Sequence, residues 1–170
     1  MSQTPENTRG IRVASSPLAL FVATGAGAGY APVAPGTFGS AVGVLLFPLI
    51  GLFGSWLYLL AVLALLSSGV WAAEEAERIF ERKDDGRIVI DEIVGQLLTY
   101  APLVILEIPV GLLWIVTGFV LFRGFDIWKP GPARWAERSL AGGAGVMLDD
   151  VIAGLMGAGV LLVLVGVFAR

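Results

Sequence analysis

The stretch VMLDDVIAGLMGAGVLLVLVGVF, residues 146–168, decides how this chain is to be read. From Val151 to Phe168 it carries no charged residue. About 20 apolar residues are enough for a helix to cross a bilayer, so the stretch predicts one clean span. Two aspartates, Asp149 and Asp150, stand at its entrance. Charge at a membrane entrance is costly unless it is paired or bound to metal.

Working outward, the same pattern recurs. An apolar block runs from Phe38 to Ala73, too long for one crossing, and Pro48, Gly51 and Gly54 interrupt it. It predicts a hairpin of helices near 38–52 and 55–73. A second block, 93–122, is divided by Pro102, Glu107 and Pro109. It predicts helices near 92–101 and 109–123. Residues 17–28 are apolar but short and rich in small residues, which suits a re-entrant or interfacial segment. Residues 1–14 read as a polar tail without the apolar core of a cleavable signal peptide. The expected architecture is therefore all-α. It is a polytopic membrane helical bundle with Gly-rich re-entrant or interfacial segments, and residues 15–170 form its single domain. For Gly154, Gly157, Gly159 and Gly166 the expected role is close helix packing.

Composition agrees with a bilayer as solvent. Of 170 residues, 56% are hydrophobic and 15% charged, with a mean hydropathy of +0.84. A soluble domain of this size would need more polar surface. The chain has no cysteine and no histidine. That excludes disulfides, thiolate chemistry, His general bases and His- or Cys-ligated metals. Catalysis must then use Asp, Glu, Lys, Arg, Ser, Thr or Tyr. Any metal would be a hard cation on carboxylate oxygens, Mg²⁺ first. No nucleic-acid partner is expected.

The basic residues set the orientation. Arg9 and Arg12 lie in the tail; Arg78, Arg82, Lys83 and Arg87 lie between the predicted hairpins; Arg123, Lys129, Arg134 and Arg138 precede the last span. Two hairpins put these segments on one side, which the positive-inside tendency makes the cytoplasm. Arg170 is left on the other. The arrangement holds only if the 92–122 block crosses twice.

Three segments carry chemistry. ATGAGAGYAPVAPGTFGS, residues 23–40, lacks the Lys of a Walker loop. Thr37 is expected as the N-cap of the next helix, where free N–H groups could hold an anion; a bent connector is an equal reading of the same residues. In KDDGRIVIDEIVGQ, residues 83–96, Asp84-Asp85-Gly86 predicts a turn, and Asp91 and Glu92 open an apolar helix. Acids in a first helical turn are a common structural device, yet this pair stands where the chain enters the membrane. In the third, residues 122–154, Asp126 and Lys129 would share a helix face if the helix persists to Pro130. Asp149 and Asp150 are adjacent, so about 100° separates them and only one is expected to face a given site. Asp85, Asp91, Glu92, Asp126, Asp149 and Asp150 thus gather at one interface with Arg123, Lys129 and Arg134. Carboxylates beside bases suit a Mg²⁺ site that receives a phosphate ester.

These blocks, ATGAGAGYAPVAPGTFGS, DDGRIVIDEIVGQ and FRGFDIWKPGPARW followed by GGAGVMLDDVIAG, resemble in this order the phosphatidylglycerophosphatase A family of bacterial membrane phosphatases. The resemblance implies Mg²⁺-dependent hydrolysis of phosphatidylglycerol phosphate to phosphatidylglycerol and inorganic phosphate. It also implies the inner membrane, with a site facing the cytoplasm. Within the matched blocks, Asp91, Glu92, Asp149 and Asp150 are expected as the main Mg²⁺ and water-activating group, with Asp85 a further metal ligand. Asp126 is expected as another ligand, or as a nucleophile in a covalent route. Arg123, Lys129 and Arg134 would bind phosphate, with Thr37 and Ser40 helping to orient it.

Rival enzyme classes fit poorly. The CDP-alcohol phosphotransferase pattern fails because Asp85-Gly86 is followed by Arg-Ile-Val-Ile, and Ala153 stands four after Asp149. Lipid phosphatases that use His or Cys lack their residues here. A small transporter or assembly protein would account for intramembrane acids as an ion path, but would not need acids, cations and Gly-rich loops on one face.

Overall fold

The computed structural model describes residues 16–129, 131 and 142–168. Among these the fold is all-helical, with no strand. The elements are α1 (Pro17–Ala23), a 3-10 turn (Ala28–Tyr30), α2 (Pro35–Gly51), α3 (Ser55–Phe80), α4 (Ile90–Ile105), α5 (Leu112–Trp128) and α6 (Gly143–Phe168). The expected polar tail, Arg134 and the basic residues Arg9, Arg12, Arg138 and Arg170 lie outside the described residues.

The predicted hairpins are present, with longer helices. The 38–52 and 55–73 helices are α2 and α3, and the 92–122 block is two antiparallel helices, α4 and α5. The 17–28 segment is a two-turn helix followed by left-handed backbone at Gly25, Ala26 and Gly27. At 26 residues each, α3 and α6 are long and apolar enough to cross a membrane. Their outward side chains are large and apolar: Trp56 is 87% exposed and Val163 65%. Large apolar side chains exposed along both helices suit apolar surroundings.

α4 is the axis of the bundle. Ile93, Val94, Leu97, Tyr100 and Leu103 are all buried, because α2, α3, α5 and α6 all pack against it. Glycines let the backbones close in. A Cβ at Gly154 of α6 would lie 2.5 Å from the carbonyl oxygen of Gly95, and one at Gly95 would lie 2.7 Å from that of Asp150. Thr99 Oγ1 clamps the same contact, donating to the carbonyls of Gly95 (3.0 Å) and Gly154 (3.2 Å). Gly157 packs on Thr99 as expected, whereas Gly159 and Gly166 face open space among the described residues. Those two positions lie on the outer side of α6, so the close-packing expectation does not hold there.

Alternation of direction brings five helix ends together: the starts of α2, α4 and α6 and the finishes of α3 and α5. α1 and the 3-10 turn cover this end, where the Val89 N–H donates to the Ala23 carbonyl at 2.8 Å. The loop entering α4 is fastened by Asp85. Its carboxylate accepts from Arg87 Nε (2.6 Å), Nη2 (3.0 Å) and the Arg87 backbone N–H (3.1 Å). Arg87 in turn lies 3.6 Å over the Phe80 ring.

Two predictions follow from this packing. Gly154→Ala drives a Cβ into backbone rather than into a flexible side chain. It is expected to cost about 1–3 kcal/mol, read as a lower thermal midpoint in detergent, while Gly159→Ala leaves the midpoint unchanged. The Arg87 hydrogen bonds hold the Asp85 carboxyl below its ordinary range. A depressed acid stabilises the fold in full above its unfolded pKa of about 4, and that contribution is lost as pH falls through the lower folded value. Asp85→Asn should therefore lower the midpoint at pH 7, and the gap from the parent should close below about pH 4.

Candidate functional site

The site forms where the first turn of α4 meets α6. Ile90 begins α4, which puts Asp91 and Glu92 in its first turn. Asp150 comes from α6, seven residues past Gly143 and so about 10 Å into that helix. The sequence expectation had this pair at the helix start; the helix begins earlier, so the acids lie deeper. One carboxylate oxygen each from Asp91, Glu92 and Asp150 lies within 4.8 Å of the others. Asp91 is 8% exposed and Asp150 3%. Asp91 Oδ1, Glu92 Oε2 and Asp150 Oδ2 are buried without a hydrogen-bond partner among the described residues. Buried anionic oxygens that find no donor are a costly arrangement for an apo fold, and a natural one for cation ligands.

The adjacent aspartates divide as the helix geometry predicts. Asp150 joins the cluster, while Asp149 turns aside and its Oδ2 accepts from Lys129 Nζ at 2.6 Å. Asp149 Oδ1 is buried and unpartnered. Asp85, expected as a metal ligand, is placed in the loop before α4 on Arg87 and stands outside the three-carboxylate group.

α5 supplies the positive wall. Arg123 forms an ion pair with Asp126 one turn on, and its Nη1 also reaches Ser40 Oγ of α2 at 3.4 Å. Asp126 faces the Asp150 carboxyl as well. Asp126 and Lys129 do not share a helix face, because α5 ends at Trp128 and Lys129 takes left-handed backbone, φ 45°. The break swings Lys129 away to α6. Arg123, one turn before Asp126, is its partner instead.

α2 approaches the cluster through Gly36. A Cβ there would collide with the Glu92 carboxylate and lie 3.3 Å from Arg123 Nη1. Thr37 is not the N-cap: Ala34 takes that place with φ 49°, and Pro35 opens the helix. The Thr37 N–H is bonded to the Ala34 carbonyl at 2.9 Å. Ser40, fully buried, donates to the Gly36 carbonyl at 2.9 Å while receiving Arg123.

One residue escaped sequence reasoning. Gln96 is fully buried one turn beyond Glu92, against Gly43 of α2, and neither amide atom has a partner among the described residues. Its signal was the i,i+4 spacing from Glu92 inside an otherwise apolar run. It extends the polar surface inward from the acids.

Comparison with known proteins shows what the chain is similar to. Residues 21–165 match the family described as Phosphatidylglycerophosphatase A. The chain is 36% identical over 141 residues to phosphatidylglycerophosphatase A of Escherichia coli strain K12, covering 82% of this chain and 79% of that one. It is 36% identical over 135 residues to the Haemophilus influenzae protein of the same name, covering 79% and 80%. A Bacteroides thetaiotaomicron protein, named provisionally as a phosphatidylinositol-3-phosphatase, is 39% identical over 147 residues, covering 81% and 87%. No solved structure matches the chain significantly. With a match that spans most of its length, the chain belongs to the phosphatidylglycerophosphatase A family of phosphoric monoester hydrolases.

Proposed function

We propose that the protein is a Mg²⁺-dependent phosphatase that hydrolyses phosphatidylglycerol phosphate to phosphatidylglycerol and inorganic phosphate at the cytoplasmic face of a bacterial inner membrane. The observation that carries this reading is the convergence of Asp91, Glu92 and Asp150, with unpartnered buried oxygens, beside Arg123. An all-oxygen, all-carboxylate donor set suits a hard divalent cation. Asp91, Glu92 and Asp150 would hold it. Bound there, Mg²⁺ would neutralise phosphoryl oxygens and make a coordinated water more acidic.

The chain's own residues supply the rest. Arg123 is held by Ser40 and Asp126, so its guanidinium is positioned for a phosphate that enters beside the acids. Lys129, on Asp149, adds a second cation near the same end. Asp126 stands between Arg123 and Asp150, where a carboxylate can take the proton of an attacking water. The new O–P bond then forms as the ester P–O bond breaks, and the proton ends on the glycerol oxygen. If Asp126 attacks phosphorus itself, hydroxylamine will trap the acyl phosphate, which the direct route never forms.

Orientation rests on charge. Arg78, Arg82, Lys83, Arg87, Arg123 and Lys129 all belong to the site end of the bundle, whereas the opposite connections, 52–54 and 106–111, contain no Lys or Arg. That asymmetry supports a cytoplasmic site. The Bacteroides relative's name supports including an inositol lipid among the substrates tested.

Purified protein in detergent is expected to release phosphate from phosphatidylglycerol phosphate with Mg²⁺ and to stop when the metal is chelated. No release under either condition would defeat the assignment and favour a transporter or scaffold. Asp150→Asn should lower kcat at least about 100-fold, close to 3 kcal/mol of barrier, with the helical circular dichroism retained. Asp149→Asn, which disturbs only the Lys129 pair among the interactions described, should lose less. Equal losses in the two variants would contradict the division of roles.

A further inference from the structure

A second feature lies between α2 and α5, on the side of α2 turned away from Gly39 and Gly43. It is a groove of about 340 Å³ lined by Ala41, Val44, Leu45, Ile115, Val116 and Phe119. All six side chains are apolar, and Leu45 (68%) and Val116 (51%) remain largely exposed. At its floor Val44 and Ile115 pack against the core around α4, while Leu45 and Val116 stand at its open side.

Its upper end is charged. Ser40 directly precedes Ala41, and Arg123 follows Phe119 by one turn. The two side chains meet at 3.4 Å, bridging the same pair of helices that walls the groove. From Ile115 to Arg123 is eight residues of helix, about 12 Å. The apolar groove and the Arg123–Ser40 contact thus follow one another along the same pair of helices, with the contact at the end nearer the acidic cluster. A cation above and an open hydrocarbon-lined slot below are complementary to one chemical shape, an anionic phosphate ester joined to an acyl chain.

We infer that the α2–α5 groove seats an acyl chain of the phospholipid substrate, with Arg123 and Ser40 at its head drawing the phosphate toward Asp91, Glu92 and Asp150. The inference rests on the lipid-phosphatase reading above. It adds how a lipid reaches a buried site: the substrate enters sideways between α2 and α5 with its chain still in apolar surroundings, rather than being lifted out of the bilayer. Because the chain stays in apolar surroundings, the groove would act by packing against it and positioning the ester, an effect available only to substrates that carry a chain.

The test compares two substrates on one set of variants. The substrates are long-chain phosphatidylglycerol phosphate in mixed micelles at fixed detergent ratio, and its fully deacylated, water-soluble counterpart. Leu45→Trp and Val116→Trp fill the groove without touching the polar residues. Leu63→Trp, on the exposed outer face of α3, is the control. The expected result is a fall of about tenfold or more in kcat/KM on the lipid for both groove variants, carried by KM. Hydrolysis of the soluble ester should stay at the parental rate, and Leu63→Trp should match the parent on both. Equal losses on both substrates would mean that the tryptophans damage the site or the fold, and would overturn the inference. So would unchanged lipid kinetics. A dimer that the groove variants convert to a monomer would assign the groove to a second copy of the chain instead. If the parent protein hydrolyses neither substrate, the phosphatase reading itself fails, an outcome distinct from a failure confined to the groove variants.

Discussion

Three carboxylates share one buried space, and the remainder of the structure is arranged around that constraint. Asp91, Glu92 and Asp150 place oxygens within 4.8 Å of one another where water is largely excluded. Like charges at that distance repel strongly in a low-dielectric interior, and each buried carboxylate has also lost its hydration. The cluster persists because its helices cannot move apart. α4 is gripped on every side, and the Gly95–Gly154 contact sets its distance from α6 by backbone against backbone. The three carboxylates are thus held together by packing that has nothing to do with charge.

Around the cluster, charges are partitioned by small geometric facts. The break at Lys129 sends that cation to Asp149 and leaves Arg123 to Asp126. Gly36 allows the first turn of α2 to press against Glu92 and Arg123, so three helices meet at the place where the phosphate would sit. Asp85 keeps the loop before α4 in register through Arg87, which fixes where α4 begins and hence where Asp91 points. In each case one residue's backbone or partner decides the position of a functional group several residues away.

Much of this was legible in the chain. The apolar blocks and their prolines and glycines marked the helices, since hydrophobic length and helix breakers act locally. The match of residues 21–165 to the family was also readable, in the DDGRIVIDEIVGQ and GGAGVMLDDVIAG segments. Helix ends were misjudged where tertiary contacts extend a helix beyond its apolar core: α3 runs on to Phe80 through charged residues, and α6 starts three residues before Val146. Gln96 passed unnoticed because a lone amide in an apolar run looks like an exception, until a structure shows its two polar atoms buried without partners.

The sequence by itself determined the apolar character of the helices and the inventory of available groups. Without Cys or His, any metal ligands are oxygens and catalysis is left to Asp, Glu, Lys, Arg, Ser, Thr or Tyr. Which carboxylates converge was decided only by the tertiary structure. Asp85 and Asp149 are as acidic in sequence as Asp91 and Asp150, and as close to the apolar spans. Their fates differ because Arg87 and Lys129 reach the first pair, while the second pair converges with Glu92 across the glycine-lined contact of α4 and α6. Distances between segments some sixty residues apart are set by how backbones pack, and no local pattern of residues encodes them.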